Sequence, residues 1–223
     1  MTEFLRSAAT WLHHGRVPRS APIQSIDPLH PQPRHIERAV EVLKASGLVV
    51  YPTDTCFGIG CDLFQKRAIE KMAQLKRRSE KKPFSFLCHS LSEAAQYARI
   101  DNEHYRLMKR LTPGPFTFVL EATRLVPRTA LTRQRQVGVR IPDAPVALAL
   151  VAALGRPLAT TSASLPGGEV LIDARDIQDQ LGYAIDLILD GGSILNEPST
   201  VIDLTGPLAV VLRQGKGVLE SAG

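Results

Sequence analysis

Short apolar runs alternate along this chain with segments whose apolar residues recur at helical spacing, and that alternation is what most constrains the fold. Gly47–Tyr51 is typical of a buried strand, and a helix precedes it because Ile36, Ala39, Val40 and Leu43 fall on one face. Further strands are predicted at 23–26, 84–88, 116–120, 137–142, 157–164, 185–189, 200–204 and 208–212, and further helices around 68–73, 107–111 and 146–154. With 223 residues, 44% of them hydrophobic, the chain can bury one α/β core. We expect this domain to span residues 22–218, after a basic N-terminal extension over residues 1–21.

The charge balance favours anionic partners. A net charge of +5 points to nucleotide, phosphate or nucleic acid. Only 5% of the residues are aromatic, so any RNA contact should be to the backbone and not to stacked bases. The three cysteines predict a reducing compartment and are interpreted as core residues. No apolar run in the N-terminal segment is long enough for a signal or a membrane span, which predicts a cytoplasmic protein with no membrane partner.

The segment Lys76–Phe84 is a candidate anion site. It places five cations and one carboxylate between the end of an amphipathic helix and a short strand. The alternative is a solvated helix terminus followed by a charged turn.

A second candidate site follows the strand that ends at Tyr51. Thr53, Asp54 and Thr55 bring two hydroxyls and a carboxylate to a strand end, where ligands of α/β sheets commonly bind. Gly58 and Gly60 are expected to let the backbone approach a ligand. The alternative is a turn in which Asp54 bonds its own backbone. Neither phosphate-loop fingerprint, G-x-x-x-x-G-K-[ST] or G-x-G-x-x-G, occurs in the chain.

Polar residues also mark three later strands. Arg140 lies on the face opposite the valines of its strand, a run of hydroxyls ends at Ser164, and Arg213 follows the last strand. For both arginines the residues alone leave a strand-end salt bridge as the alternative.

These segments together resemble the YrdC-like family. The ordered matches, which cover roughly residues 23 to 217, are Tyr51-Pro52-Thr53-Asp54-Thr55, the Lys76-x-Arg78 pair with Lys82-Pro83-Phe84, Thr112-Pro113-Gly114-Pro115-Phe116-Thr117, Val139-Arg140-Ile141-Pro142, Ser162-Ala163, Pro198-Ser199-Thr200-Val201 and Arg213-Gln214-Gly215. The resemblance is greatest to the YciO-type branch. It implies a YrdC-like α/β fold, with a twisted mixed sheet flanked by helices and a basic concave surface.

The resemblance also implies a chemistry. Members with established activity are threonylcarbamoyl-AMP synthases, which combine L-threonine, bicarbonate and ATP and release diphosphate for the t6A modification of tRNA. Lys76 and Arg78 are implied as the catalytic cations, ATP as a substrate and Mg²⁺ as its companion, with no protein metal site. The implied substrate- and nucleotide-binding residues are Thr53, Thr55, Lys82, Arg140, Ser162, Ser164, Ser199 and Arg213. Within that set, Thr55, Arg140 and Ser199 would contact threonine, Lys82 the phosphates, and Ser162 and Arg213 the nucleotide.

Three positions depart from the family pattern. Ser79 replaces a proline, Leu87 a histidine, and Ser164 the asparagine of Ser-Ala-Asn. All three are expected on the ligand side, and Ser164 offers fewer polar contacts than an asparagine. His89 could substitute for the missing histidine but is interpreted as a surface residue. Two hypotheses therefore stand: a synthase or close relative, and a nucleotide-binding protein that binds tRNA or double-stranded RNA without synthase activity.

Overall fold

A computed structural model describes residues 20–77, 84–131, 133–165 and 169–219. Within these ranges lie ten strands, six α-helices and a short 3₁₀ helix at Arg128–Ala130. The strands are β1 Ile23–Ser25, β2 Val49–Tyr51, β3 Gly58–Asp62, β4 Ser85–Leu87, β5 Phe116–Glu121, β6 Gln136–Arg140, β7 Leu158–Ser162, β8 Leu187–Asp190, β9 Thr200–Asp203 and β10 Val210–Arg213. The helices are α1 Pro33–Lys44, α2 Lys66–Leu75, α3 Leu91–Tyr97, α4 Asn102–Leu111, α5 Pro145–Leu154 and α6 Ala174–Leu181.

All ten strands form one open, twisted sheet in the order β1-β8-β2-β3-β7-β4-β6-β5-β9-β10. Its pairings are mixed: β1–β8, β2–β8, β4–β6 and β5–β9 are parallel, and the remaining pairs are antiparallel. The predicted α/β fold with a mixed sheet and flanking helices is therefore confirmed. β1 lies at one edge of the sheet.

Two helices show how the sequence sets the element boundaries. Pro145 begins α5 at a position where a missing N–H costs nothing, and Gly155 ends it with a φ of 73°, a left-handed conformation that glycine adopts without strain. α2 ends at Leu75, and the backbone N–H of Lys76 still donates to Met72 O. The cationic segment therefore begins at a helix terminus, as predicted.

Each face of the sheet buries its own apolar cluster. One face carries the larger cluster, which includes Ile59, Phe86, Phe118 and Val139. On the other face, Val49, Leu87 and Leu158 pack beneath α1 and α5. Because side chains alternate along a strand, these two clusters account for the near-continuous apolar runs in the sequence.

The face that contacts α1 and α5 becomes polar beside them. Gly60, Thr160, Ser85 and Gly138 are paired in register across β3, β7, β4 and β6, so their side chains share this face. The same face extends across the next three strands: Thr117 on β5 is paired with Val201 on β9, which is paired with Arg213 on β10. We call this region the polar sheet face; small or hydroxyl residues line its middle, and a polar loop borders it where β2 ends.

The sequence patterns missed several elements. α3 and α6 are only seven and eight residues long, too short for a clear helical stripe. β3 contains two glycines, which weaken the pattern of a strand, and the sequence does not predict it. Within the described residues, no helix is long and apolar enough to cross a membrane.

Candidate functional site

The loop after β2 is organised by the hydroxyl of Thr53. This hydroxyl donates to Cys56 O at 2.6 Å and accepts from the backbone N–H groups of Thr55 and Cys56 at 3.2 Å. Such hydroxyl-to-backbone bonds stabilise a tight turn. Thr53 thus uses its hydrogen-bonding capacity largely within the loop, and this fixes the neighbouring residues Asp54 and Thr55.

Arg140 lies at the end of β6 and reaches this loop. Its Nη2 donates to Asp54 Oδ1 at 2.5 Å and to Thr55 Oγ1 at 2.7 Å. The side chains of Arg140 and Asp54 are only 10% and 11% exposed, so this is a nearly buried ion pair. The salt bridge that the residues alone predicted for Arg140 is confirmed, and Asp54 bonds this arginine, contrary to the alternative in which it would bond its own backbone.

The same ion pair leaves two polar atoms without partners. Among the described residues, Asp54 Oδ2 and Arg140 Nε are buried and make no hydrogen bond. Buried polar atoms of this kind are uncommon in folded proteins and call for an explanation. Here an unpaired acceptor and an unpaired donor belong to the same ion pair.

A second cluster surrounds the end of β7. Lys76 Nζ donates to Ser164 Oγ at 2.6 Å, Ser164 O at 2.7 Å and Ser162 O at 3.2 Å. Ser162 and Ser164 are half-buried, and their hydroxyls lie 3.4 Å apart. Lys76 therefore connects the end of α2 to the two predicted serines.

A third cluster lies where β9 begins and β10 ends. Arg213 Nη2 donates to Ser199 O at 2.7 Å, and Ser199 Oγ lies 2.9 Å from Thr117 Oγ1. Arg213 thus bonds a backbone carbonyl, whereas the salt-bridge alternative called for a carboxylate. Ser199 and Thr117 are both 7% exposed.

Short connections bring the three clusters together. Lys216 Nζ donates to Asp54 O at 2.7 Å, which ties the segment after Arg213 to the loop after β2. The backbone N–H of Ala163, between the two serines, donates to Phe57 O at 2.7 Å and fixes the β7 end against the same loop. Burial raises the pKa of the Cys56 thiol, whereas the positive charges of Arg140 and Arg213 both lower it. Both guanidiniums therefore lie close enough to influence the same thiol.

The glycines of β3 have a different role from the predicted one. A Cβ on Gly58 would lie 2.9 Å from Tyr51 Cε2, and one on Gly60 would lie 2.7 Å from Tyr51 Cε1. The glycines therefore make room for the Tyr51 ring, whose hydroxyl lies 2.5 Å from Thr160 Oγ1. The expectation that they admit a ligand to the backbone is wrong, because the tyrosine fills that space.

The departures from the family pattern fall into different environments. Leu87 is next to Arg140 in register but is 1% exposed and packs under α1 and α5, so it presents no open surface to a ligand. The side chain of His89 is 50% exposed and lies 3.1 Å from Glu93, which confirms it as a surface residue. Arg78, Ser79 and Lys82 lie outside the described residues.

Three site features were not selected from the sequence. The sequence places Asp54 at a strand-end site but not among the implied binding residues, and it indicates neither Thr117 nor Lys216 as a site residue. Period-two alternation on β5 could have placed Thr117 on the polar sheet face, but no local signal indicates that Lys216 returns to the β2 loop. Within the described residues, no group of three or more His, Cys, Asp or Glu side chains could hold a metal ion. The three cysteines are buried, as predicted.

Comparisons with known proteins agree on one family. The family Sua5/YciO/YrdC, described as "Telomere recombination", matches residues 41–215. The Escherichia coli K12 protein described as "Uncharacterized protein YciO" is 42% identical over 194 residues, which cover 86% of this chain and 94% of that protein. A threonylcarbamoyl-AMP synthase from Shigella boydii is 34% identical over 187 residues, covering 81% of this chain and 95% of that one.

Solved structures show the same relationship. The crystal structure of E. coli YciO superposes with a TM-score of 0.85 at 40% identity, covering 89% of this chain and 97% of that one. Pyrococcus abyssi Sua5 complexed with L-threonine superposes with a TM-score of 0.82 at 30% identity, covering 87% of this chain and 58% of that one. The predicted family resemblance is therefore confirmed.

Proposed function

The chain belongs to the Sua5/YciO/YrdC family, and from this premise we propose that it is a threonylcarbamoyl-AMP synthase-like enzyme. The proposed reaction combines L-threonine, bicarbonate and ATP into threonylcarbamoyl-AMP and diphosphate. It would serve the t6A modification of tRNA in the cytoplasm. The observation that carries the proposal is the convergence of Arg140, Lys76 and Arg213 with hydroxyl groups at neighbouring strand ends.

The proposed chemistry requires positioning and charge stabilisation. The neutral amine of threonine and bicarbonate form a carbamate and release water. A carboxylate oxygen of the carbamate then attacks the α-phosphorus of ATP, and diphosphate leaves. Bicarbonate, the carbamate and ATP are anionic, and threonine brings a carboxylate, so these groups repel one another. Fixed cations and hydroxyls hold them together and stabilise charge that develops on phosphorus.

Each cluster has a proposed partner. Arg140, Thr55 and Ser199 would contact threonine, since a charged guanidinium N–H is a strong donor to a carboxylate. Lys76, with Arg78 and Lys82, would contact the ATP phosphates. Ser162, Ser164 and Arg213 would contact the nucleotide. MgATP is the proposed form of the nucleotide, because Mg²⁺ is usually held by substrate phosphates with few protein carboxylates.

The contacts of Lys76 bear directly on this assignment. In the free protein its ammonium donates to three oxygens of Ser162 and Ser164, so phosphate binding must exchange at least one of them. A phosphate oxygen is a stronger, charged acceptor than a carbonyl or a hydroxyl, which makes that exchange favourable.

A second function is supported by the Ser164 position and by the relatives. Ser164 directs its hydroxyl at Lys76, where an asparagine would offer both an acceptor and donors. The protein at 42% identity has no described activity, whereas the synthase compared above is 34% identical. The second proposal is a YciO-type protein that binds nucleotide and tRNA or double-stranded RNA on a basic concave face without synthase turnover.

Diphosphate release separates the two functions. The pure protein with ATP, L-threonine and bicarbonate should release diphosphate, and omission of threonine should abolish it. Lys76→Ala should reduce the rate, whereas Lys71→Ala on the same helix should not, because Lys71 pairs with Asp186 away from the site. If ATP binds but threonine adds nothing to diphosphate release, the synthase proposal fails and the binding proposal stands.

A further inference from the structure

We propose that Asp54 is a specificity-determining residue that recognises the amino group of the amino-acid substrate, an inference that rests on the proposed function. The starting point is the nearly buried ion pair of Asp54 and Arg140, which is joined through one oxygen and one nitrogen. The other oxygen of the carboxylate, Asp54 Oδ2, and the Arg140 donor Nε are buried and have no partner among the described residues.

These two atoms require opposite partners. Oδ2 is an acceptor and needs a donor, whereas Nε carries a hydrogen and needs an acceptor. Leaving them buried and unpaired costs free energy in the unliganded protein. A molecule that offers both an N–H donor and a carboxylate, close together, satisfies both at once, and an α-amino acid has that arrangement.

The surroundings explain why the ion pair stays in place when such a ligand binds. Thr55 Oγ1 holds Nη2 of Arg140 at 2.7 Å, and Lys216 holds the backbone carbonyl of Asp54 at 2.7 Å. Arg140 and Asp54 are therefore anchored independently of each other. A ligand carboxylate can take up the free Nε while Asp54 Oδ1 keeps its bond to Nη2.

A ligand group has to enter beside the part of the pair that remains exposed, because Asp54 Oδ2 and Arg140 Nε are themselves buried. The two side chains retain 10% and 11% of their surface. Rotation about the terminal torsion of an aspartate is soft, so a small rotation can expose Oδ2 while Oδ1 stays within hydrogen-bond reach of Arg140 Nη2. Because so little of the pair is exposed, we expect it to admit one small polar ligand group.

The proposal distinguishes amino acids from hydroxy acids of the same shape. 3-Hydroxybutanoate is L-threonine without its amino group. It can bond Arg140, but it leaves Asp54 Oδ2 unpaired. We expect the wild-type protein, with ATP present and bicarbonate absent, to bind L-threonine about 10- to 100-fold more tightly than 3-hydroxybutanoate, the range for a lost charge-assisted hydrogen bond.

Asp54→Asn supplies the matching protein change. Its side-chain carbonyl can still accept from Arg140, but its amide group presents hydrogens where Oδ2 accepted. L-threonine binding should weaken about 10-fold or more, while 3-hydroxybutanoate binding changes less than about threefold. Asp62→Asn is the control, because Asp62 is also buried and paired, with Arg156, but lies outside the three clusters.

Calorimetric titration of the two ligands into the three proteins decides the matter. If Asp54→Asn weakens the binding of both ligands equally, Asp54 only holds Arg140 in place, and the inference is overturned. Equal affinity of the wild-type protein for the two ligands, or no binding of L-threonine, would also overturn it, even if Asp54→Asn failed to fold. If the wild-type protein prefers L-threonine over 3-hydroxybutanoate but releases no diphosphate, the inference stands and the synthase proposal is refuted. If it releases diphosphate but Asp54→Asn keeps the same preference between the two ligands, the synthase proposal stands and the inference is refuted.

Discussion

Replacing Arg140 with methionine should destabilise the fold, because it leaves the Asp54 carboxylate nearly buried without its cation. The carboxylate is 11% exposed, and the bond it loses is 2.5 Å long. Removing one partner of a buried ion pair typically costs about 3–5 kcal/mol. Because some water can reach Asp54, we expect the free energy of unfolding to fall by about 2–4 kcal/mol.

The double variant Arg140→Met with Asp54→Asn tests the cause. It removes the stranded charge, so it should recover at least about half of the loss. Urea unfolding followed by far-ultraviolet circular dichroism gives the free energies, provided that the m-values agree. Arg156→Met is the matched control: it strands Asp62, which is fully buried, and should destabilise the protein without changing L-threonine binding.

Two results would refute this reasoning. A loss below about 1 kcal/mol in Arg140→Met would mean that the carboxylate finds water or another partner. A double variant that loses the sum of the two single losses would mean that the residues act independently.

Lys76→Ala and Arg78→Ala should each weaken ATP binding by about 1–3 kcal/mol in calorimetry, while Lys71→Ala should not; unchanged affinity in both variants would contradict the phosphate assignment. Burial raises the pKa of the Cys61 and Cys88 thiols, so at high pH the folded chain keeps protons that the unfolded chain releases. The free energy of unfolding should therefore decline above about pH 9, by up to ~1.4 kcal/mol per pH unit for each thiol. A free energy of unfolding by urea that stays constant between pH 8 and pH 10 under reducing conditions would count against this prediction. Ser164→Asn should raise threonine-dependent diphosphate release. Leu87→His should instead lower the melting temperature, because it places an imidazole in an apolar cluster. A Leu87→His variant that is as stable as the wild-type protein and turns over faster would contradict the observed packing of Leu87. Binding of tRNA or duplex RNA should show little sequence preference and weaken steeply with salt, and a binding isotherm insensitive to salt would show that the basic residues are scattered.

The fold was largely accessible from the sequence because its strands and longer helices carry clear periods. Val137, Val139 and Arg140 illustrate this: period-two alternation alone put the valines in one core and the arginine on the opposite face, as the structure has them. The order of the strands in the sheet was not accessible, since pairing such as β1 with β8 joins segments more than 150 residues apart and no local pattern specifies it.

The sequence predicted individual residues of the candidate site but not the contacts between them. Single motifs identified Lys76, Ser162 and Ser164, yet only the folded chain shows that the lysine donates to both serines. The glycines of β3 show the converse: their pattern favoured a ligand, and the Tyr51 ring that occupies the space comes from a neighbouring strand. Local sequence reports what a residue can do, whereas the partner is decided by long-range packing.

The product of the proposed reaction can be sought directly. The protein is incubated with ATP, L-threonine and ¹³C-labelled bicarbonate, and the nucleotides are analysed by mass spectrometry. The proposed function predicts threonylcarbamoyl-AMP that carries the label, formed together with diphosphate and lost in Arg140→Ala. Bound ATP that yields no labelled adenylate, at any threonine concentration, would contradict it.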